Sequence, residues 1–443
     1  MLSRADRGAG RAPLVGERHR TAMPRVILFA TTTGYQVRVF GEAAERLGLD
    51  LVFATDRCQT LEDPWRDAAI PVRFHDETAS LRRLVEAMNG RGVDGVLGVG
   101  DRPALLAALA AETFDLPARG VDGARASADK LRYRRRLAEV GLPSPAFRAI
   151  RLDQIDAGLA EPLGFPCVVK PLALSGSRGV IRADDQAEFD AALARVGRLL
   201  AQPGIRALRD PANDQVLVEE YVEGAEITVE GLLDDGRLHV MTIFDKPDPL
   251  DGPFFEETIY ATPTSLAPDV CTAIEEALAG TVRALGLTHG PVHAECRLGP
   301  GGVVVLEVAA RPIGGLCARV LRCVGPSGRA CSYEEVLLRH ATGEAGRGFR
   351  RAPGASAVMM IPTPRAGHLR RVRGQDRARA VRGVDDLVIT AKPGQRLVPM
   401  PEGASYLGFI FASAATPEAA VAAVRRAHSH LSFDIDLDLP MAR

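Results

Sequence analysis

The chain has 443 residues, too many for one ordinary hydrophobic core, and its 46% hydrophobic and 25% charged content is that of a folded, water-soluble protein rather than a disordered or membrane-spanning one. With 55 basic against 56 acidic residues the formal net charge is -1, so no global field draws in nucleic acid or an anionic membrane; an anionic ligand must be met by a local cluster. The seven cysteines are odd in number and lack C-x-x-C spacing, which reads as reduced, mostly buried thiols rather than a disulfide framework or a zinc site.

Residues 1–22 carry Arg4, Arg7, Arg11, Arg18 and Arg20 with no apolar block after them, so they read as a disordered tail before an alternative start at Met23, not as a secretory signal. From there the pattern alternates. Val26–Thr31, Leu49–Ala54 and Gly95–Gly100 are strand-like, and helix-compatible segments run over Val37–Leu47, Leu81–Met88 and Pro103–Ala111. Such alternation predicts parallel strands joined by crossover helices, an α/β domain over 23–122. The first strand is followed by Thr31-Thr-Thr-Gly34 and not by G-x-G-x-x-G, so no dinucleotide is expected there.

A charged helix is expected from Ala124 to Val140, stopped by Gly141, Pro143 and Pro145. After it come β-rich runs at Cys167–Lys170, Gly179–Arg182, Val216–Glu219 and Ile227–Glu230, with a helix over Gln186–Leu200. From Gly290 to Arg311 two strands flank Gly299-Pro-Gly-Gly302, a hairpin signal. The remainder offers strands at Ala357–Ile361, Leu387–Thr390 and Gly408–Ala412 and a helix at Pro417–His430.

Three groups of residues carry chemistry. The first is Lys170, leaving an apolar strand, followed by Ser175-Gly-Ser-Arg-Gly179. Gly176, Gly179 and the hydroxyls of Ser175 and Ser177 can bring backbone N–H groups around a polyphosphate. Taken alone, it is equally a hairpin turn with Lys170 at an exposed strand end, and it is not a P-loop, because the lysine precedes the glycines. In the second, Glu219, Glu220, Val222 and Glu226, carboxylates and backbone groups suit the amino edge of a base and ribose hydroxyls; a solvated strand end is the plainer alternative. The third is Glu295 and Glu307 on the hairpin strands, with Arg311 on the exit. Two close carboxylates call for a cation between them, magnesium being the natural one, and Arg311 is a permanently charged fork for a phosphoryl oxygen; the alternative is a surface cross-strand pair with an ion-paired arginine, which the apolar strands disfavour.

In this order the blocks resemble the ATP-grasp superfamily, and among its members the carboxylate–amine ligases such as bacterial L-amino-acid ligases. The resemblance runs from about Arg25 to the end and is strongest from Asp129 to Gly315, beginning with Asp129-Lys130 and Gly141-Leu-Pro-Ser-Pro145. It implies an α/β and α+β protein. An N-terminal parallel α/β domain (23–122) precedes two α+β lobes gripping ATP (123–344) and a C-terminal α+β extension (345–443).

By resemblance, Lys130 and Lys170 contact the ATP phosphates and Ser175–Gly179 is a loop closing over them. Glu219, Glu220 and the backbone of Val222 hold adenine, and Glu226 takes the ribose. Glu295 and Glu307 bind magnesium, with manganese as a substitute, while Arg311 and Lys170 are catalytic. Glu257, Tyr260, His293 and Arg311 face the substrate. Tyr260 stands where relatives often have histidine, and Ala309 where many have a metal-ligating asparagine.

The implied activity is a cytoplasmic ATP-dependent ligase joining a small carboxylate, an amino acid or related acid, to an amine through an acyl phosphate, releasing ADP and phosphate. Its partners are those two small molecules, not nucleic acid or membrane, and a homodimer is an assembly relatives adopt. The alternatives are a biotin-carboxylase-like or purine-pathway enzyme acting on bicarbonate or formate, and a non-catalytic ATP-binding regulatory protein.

Overall fold

The computed structural model describes residues 23–31, 37–56, 69–117, 120–156, 161–403 and 405–437. The tail expected over 1–22, with Gly34 and Cys58, lies outside them. No helix among the described residues is long and apolar enough to cross a membrane.

The N-terminal sheet is parallel, in the order Ile70–Pro71, Asp50–Thr55, Arg25–Ala30, Gly95–Val99. Val26, Ile27, Leu28 and Phe29 are all fully buried because helices cover both faces. Val26 and Leu28 pack with Phe40 on one side, and Ile27 and Phe29 with Leu84 and Leu106 on the other. Gly98 lets the helix Asp101–Thr113 lie almost against its strand; a Cβ there would meet the Ala104 backbone at 2.5 Å. The helix therefore starts directly at the carboxyl end of the sheet, with Asp101 as its first residue.

The single helix expected over Ala124–Val140 is two, Val121–Ser127 and Lys130–Glu139. Asp129 breaks the run: its backbone is extended and its carboxylate accepts from the amides of Leu131 and Arg132, capping a new helix. Lys130 thus becomes the first residue of that helix.

Two further sheets enclose the cleft. A four-stranded antiparallel sheet runs Phe147–Arg151, Gln215–Glu220, Cys167–Pro171, Ile181–Ala183, backed by the helix Gln186–Leu200. An eight-stranded antiparallel sheet runs Gly302–Ala309, Gly290–Gly299, Ala225–Asp234, Arg237–Asp245, Ile259–Thr262, Ala355–Ile361, Gly408–Ala414, Val384–Ile389. The turn at Gly299–Gly302 joins its first two strands as a hairpin. The C-terminal segment extends this sheet, since Ala355–Ile361 pairs directly with Ile259–Thr262.

Candidate active site

The floor comes from the large sheet. On strand Gly290–Gly299, Ala294 and Cys296 are buried in the core with Ile274, Leu278 and Val282 of the helix Pro268–Leu285. The pleat then sends His293, Glu295 and Arg297 to the opposite face, into a cleft. The neighbouring strand supplies Glu307 and Ala309, and Arg311 follows. Glu295 and Glu307 are registered opposite one another, which puts both carboxylates on one face.

The other wall is built by the small sheet and by the start of helix Lys130–Glu139. Lys130, Val168, Lys170, Ser175, Gly176 and Ser177 line it. Lys130 Nζ lies 3.2 Å from Glu307 Oε2 and donates to the Leu174 carbonyl at 3.0 Å. Burial works against its charge, but Glu307 and Asp101 outweigh burial and raise its pKa. The loop after Lys170 has positive φ at Gly176, Ser177 and Gly179; Ser177 is an L-residue in the sparse left-handed region, and its carbonyl accepts from the Val180 amide at 3.1 Å.

The expected adenine residues Glu219, Glu220 and Val222 line the same cleft with Glu226. Glu219 is buried and doubly paired. Arg134 holds it with bonds of 2.7 and 3.1 Å, and Lys170 Nζ is 2.5 Å away. Burial alone would raise this carboxyl, but Arg134 and Lys170 overcome it and hold it at about 2. Lys170 is pushed the other way. Burial, with Arg134 and Lys130 nearby, lowers its pKa against the support of Glu219. Arg297 ties the hinge together, donating to the Tyr221 hydroxyl (2.8 Å), the Val222 carbonyl (2.9 Å) and Glu226 (3.1 Å).

Glu257 and Tyr260 are not among the residues lining the cleft; they stand behind Glu226 and Glu295 around a buried lysine, Lys246. Its ammonium is 2.7 Å from Glu226 and 3.9 Å from Glu295, is hydrogen-bonded to Glu257, and sits 5.5 Å from the Tyr260 ring centre. Carboxylate oxygens of Glu226, Glu257 and Glu295 converge within 4.8 Å of one another, and Lys246 is the cation they already share. Glu307 is not in that group.

Burial, with the neighbouring carboxylates Glu257, Glu226 and Glu307 against the pull of Lys246, pushes Glu295 up to about 8. This surplus of acid groups facing the cleft suits a hard divalent cation held by oxygen ligands, so Glu295 and Glu307 fit a magnesium ion. His293 is held from behind by Glu230, 2.5 Å from its Nδ1; that fully buried carboxylate also accepts from the Tyr333 hydroxyl and the Ile313 amide.

A second group that could ligate, Asp234, His289 and His340, lies apart from the cleft. The imidazoles stack 4.4 Å apart at 15°, so their ring planes, and the lone pairs within them, run side by side instead of converging on one ion.

Five residues of the site or its support received no role from the sequence: Asp101, Arg134, Glu230, Lys246 and Arg297. Arg297 was accessible, because it falls two residues after Glu295 on the same strand face. Asp101 pairs with Arg311 at 2.6 Å from a domain 210 residues away in sequence. Burial acts against both charges, yet each is held ionised by the other, Arg311 raised and Asp101 lowered.

Residues 163–320 match the ATP-grasp domain family, 41–118 the ATP-grasp N-terminal domain, and 359–436 the L-amino acid ligase C-terminal domain 2. An uncharacterized protein of Sinorhizobium fredii is 25% identical over 418 residues, 93% of this chain and 84% of that protein. A D-alanine–D-alanine ligase of Gloeobacter violaceus is 32% identical over 233 residues, 50% of this chain and 70% of the ligase. Among solved structures, the L-amino acid ligase from Bacillus licheniformis superposes with a TM-score of 0.79 at 26% identity, covering 93% of this chain and 99% of that one.

Proposed function

The chain belongs to the ATP-grasp family of carboxylate–amine ligases, and from that premise we propose that it joins an amino acid or similar small acid to an amine at the cleft between its two large lobes. A carboxylate oxygen of the acid attacks the γ-phosphorus of ATP, giving an acyl phosphate and ADP. The amine then attacks the acyl carbon, the C–O bond to phosphate breaks, and phosphate and a proton leave. The observation that carries this reading is the gathering of Lys130, Lys170, Ser175–Ser177, Glu295, Glu307 and Arg311 around one cleft.

In this reading Lys130 and Lys170 offset phosphate charge, Glu219, Glu220 and the Val222 backbone take adenine, and Glu226 takes ribose. Magnesium, or manganese, held by Glu295 and Glu307 supplies charge neutralisation across the phosphates when bound. Arg311, with its Nε–H committed to Asp101 and an Nη1–H to the Pro312 carbonyl, presents its Nη2 end to the transferring phosphoryl group or the oxyanion formed on amine attack. The loop over the phosphates excludes water, which would otherwise hydrolyse the acyl phosphate. His293 is oriented by Glu230 toward the acid substrate. Glu257 and Tyr260 act from behind, and an incoming ammonium must share Glu257 with Lys246.

The protein is cytoplasmic in this proposal, acts on small molecules, and is organised as domains over 23–122, 123–344 and 345–443; relatives make a homodimer the arrangement to test. A coupled assay over amino acids, other small acids and amines checks the reaction directly: ADP and phosphate must appear together with an amide product. AMP with pyrophosphate, or no acid- and amine-dependent turnover of ATP, would refute it.

A further inference from the structure

The loop expected to close over the phosphates is not free-standing. It is held by a turn of the C-terminal segment. Residues 399–403 form this turn, closed by the Gly403 amide donating to the Pro399 carbonyl at 2.8 Å. A Cβ at Gly403 would meet the Val398 carbonyl oxygen at 1.9 Å, so the turn tolerates only glycine there. On either side it is anchored by Leu397 and Leu407, both buried in the core of the C-terminal segment.

Three contacts run from this turn to the phosphate-loop side. The Gly179 amide donates to the Pro401 carbonyl at 2.7 Å, and Arg178 Nε donates to the Glu402 carbonyl at 2.8 Å. The Glu402 carboxylate makes a two-pronged pair with Arg195 on the helix Gln186–Leu200, one bond being 2.9 Å. Arg195 is itself laid over the Phe254 ring at 4.9 Å. Glu402 does not line the cleft, yet it fixes the turn that holds both Arg178 and Gly179 at the downstream end of the loop.

We propose that the turn 399–403 is a latch that sets the position of the Ser175–Gly179 loop over the ATP phosphates, with Glu402 as a positioning residue acting through Arg178, Gly179 and Arg195. This rests on the ligase reading for its kinetic consequences, though not for its structural one. A loosened latch leaves the loop in more arrangements, only some of which seal the site. ATP then binds more weakly, and water reaches the acyl phosphate more often. The acid and amine subsites, which lie against the large sheet, are untouched.

The test uses the full chain carrying Glu402→Ala, Glu402→Gln, or the swapped pair Arg195→Glu with Glu402→Arg. Hydrogen–deuterium exchange is read over residues 172–182 with and without ATP and magnesium, beside the KM for ATP and the ratio of ADP released to amide formed. Loss of a two-pronged, partly exposed charged pair should speed exchange in both single variants by about threefold to tenfold. The KM for ATP should rise by a similar factor and the ADP-to-amide ratio should climb above that of the native protein, with the KM for the amine unchanged. The swapped pair should return all three toward native values.

Native exchange over 172–182 in both single variants would overturn the latch. So would faster exchange with an unaltered KM for ATP, which reduces the turn to a packing contact. Should Glu402→Ala fail to fold, Glu402→Gln keeps the side-chain volume and carries the test. If the native chain forms no ADP with any acid and amine, the ligase reading fails, while the exchange measurement still decides whether the turn holds the loop.

Discussion

Replacing Glu219 by glutamine should destabilise the small lobe by about 3 kcal/mol at neutral pH, the free energy corresponding to a carboxyl held at about 2 instead of its ordinary 4.5. The side chain is 4% exposed, so solvent screening does not reduce the figure, and a buried pair broken from one side costs about 3–5 kcal/mol in general. Two cations, Arg134 and Lys170, would be left without their shared partner.

Because the folded pKa lies below the unfolded one, this contribution is complete above about pH 4.5 and is lost as pH falls through about 2. The gap between native and variant proteins should therefore shrink to roughly half or less by pH 3. Native-state hydrogen exchange at the paired strands Cys167–Pro171 and Gln215–Glu220 measures the local opening free energy without assuming that a multidomain chain unfolds in one step. A loss under about 1 kcal/mol, or a gap that stays constant from pH 7 to pH 3, would show that Glu219 is not the buried counter-charge of Arg134 and Lys170. A second consequence concerns ATP. Glu219 supports the charge on Lys170 against burial, so losing that carboxylate should lower the lysine's pKa further and raise the variant's KM for ATP.

Glu307→Gln removes one of the two registered carboxylates, and the magnesium concentration for half-maximal rate should rise by about tenfold or more; an unchanged titration removes Glu307 from the metal site. Arg311→Lys keeps the charge but not the fork held by Asp101, so kcat should fall by about a hundredfold, with the KM for ATP nearly constant in steady-state assays. Lys246→Met leaves Glu226, Glu257 and Glu295 crowded together with Arg297 offsetting Glu226 alone, a loss of about 3 kcal/mol or more at pH 8 that proton uptake relieves at pH 5. Thermal scans at the two pH values check it, and an equal loss at both would show that Lys246 is not the counter-charge. The latch variants at Glu402 complete the set.

The hairpin at Gly299–Gly302 was legible because glycine and proline punctuate the chain wherever they stand, and on its first strand Val292, Ala294 and Cys296 alternate with His293, Glu295 and Arg297, which carries the facing with it. Lys170, Glu295 and Glu307 were legible as positions within strands, where the pleat sets the side a residue faces, and Arg311 as the residue just past one. The break at Asp129 was written in the sequence too, as an acid able to cap, but the apolar periodicity on both sides masked it. Helices Pro268–Leu285 and Tyr333–Ala341 and strand Arg237–Asp245 went unread among longer mixed segments.

The amino-acid sequence by itself determined the local elements, their order, and which side chains leave their strands toward a common face, because those depend on neighbours a few residues away. Only the tertiary structure decided the charge partners. Asp101 meets Arg311, Arg134 meets Glu219, Glu402 meets Arg195, and Lys246 gathers three acids. The physical reason is that a charge carries no address along the chain: every arginine attracts every carboxylate, and burial selects one pair from many once packing has fixed which groups leave water together.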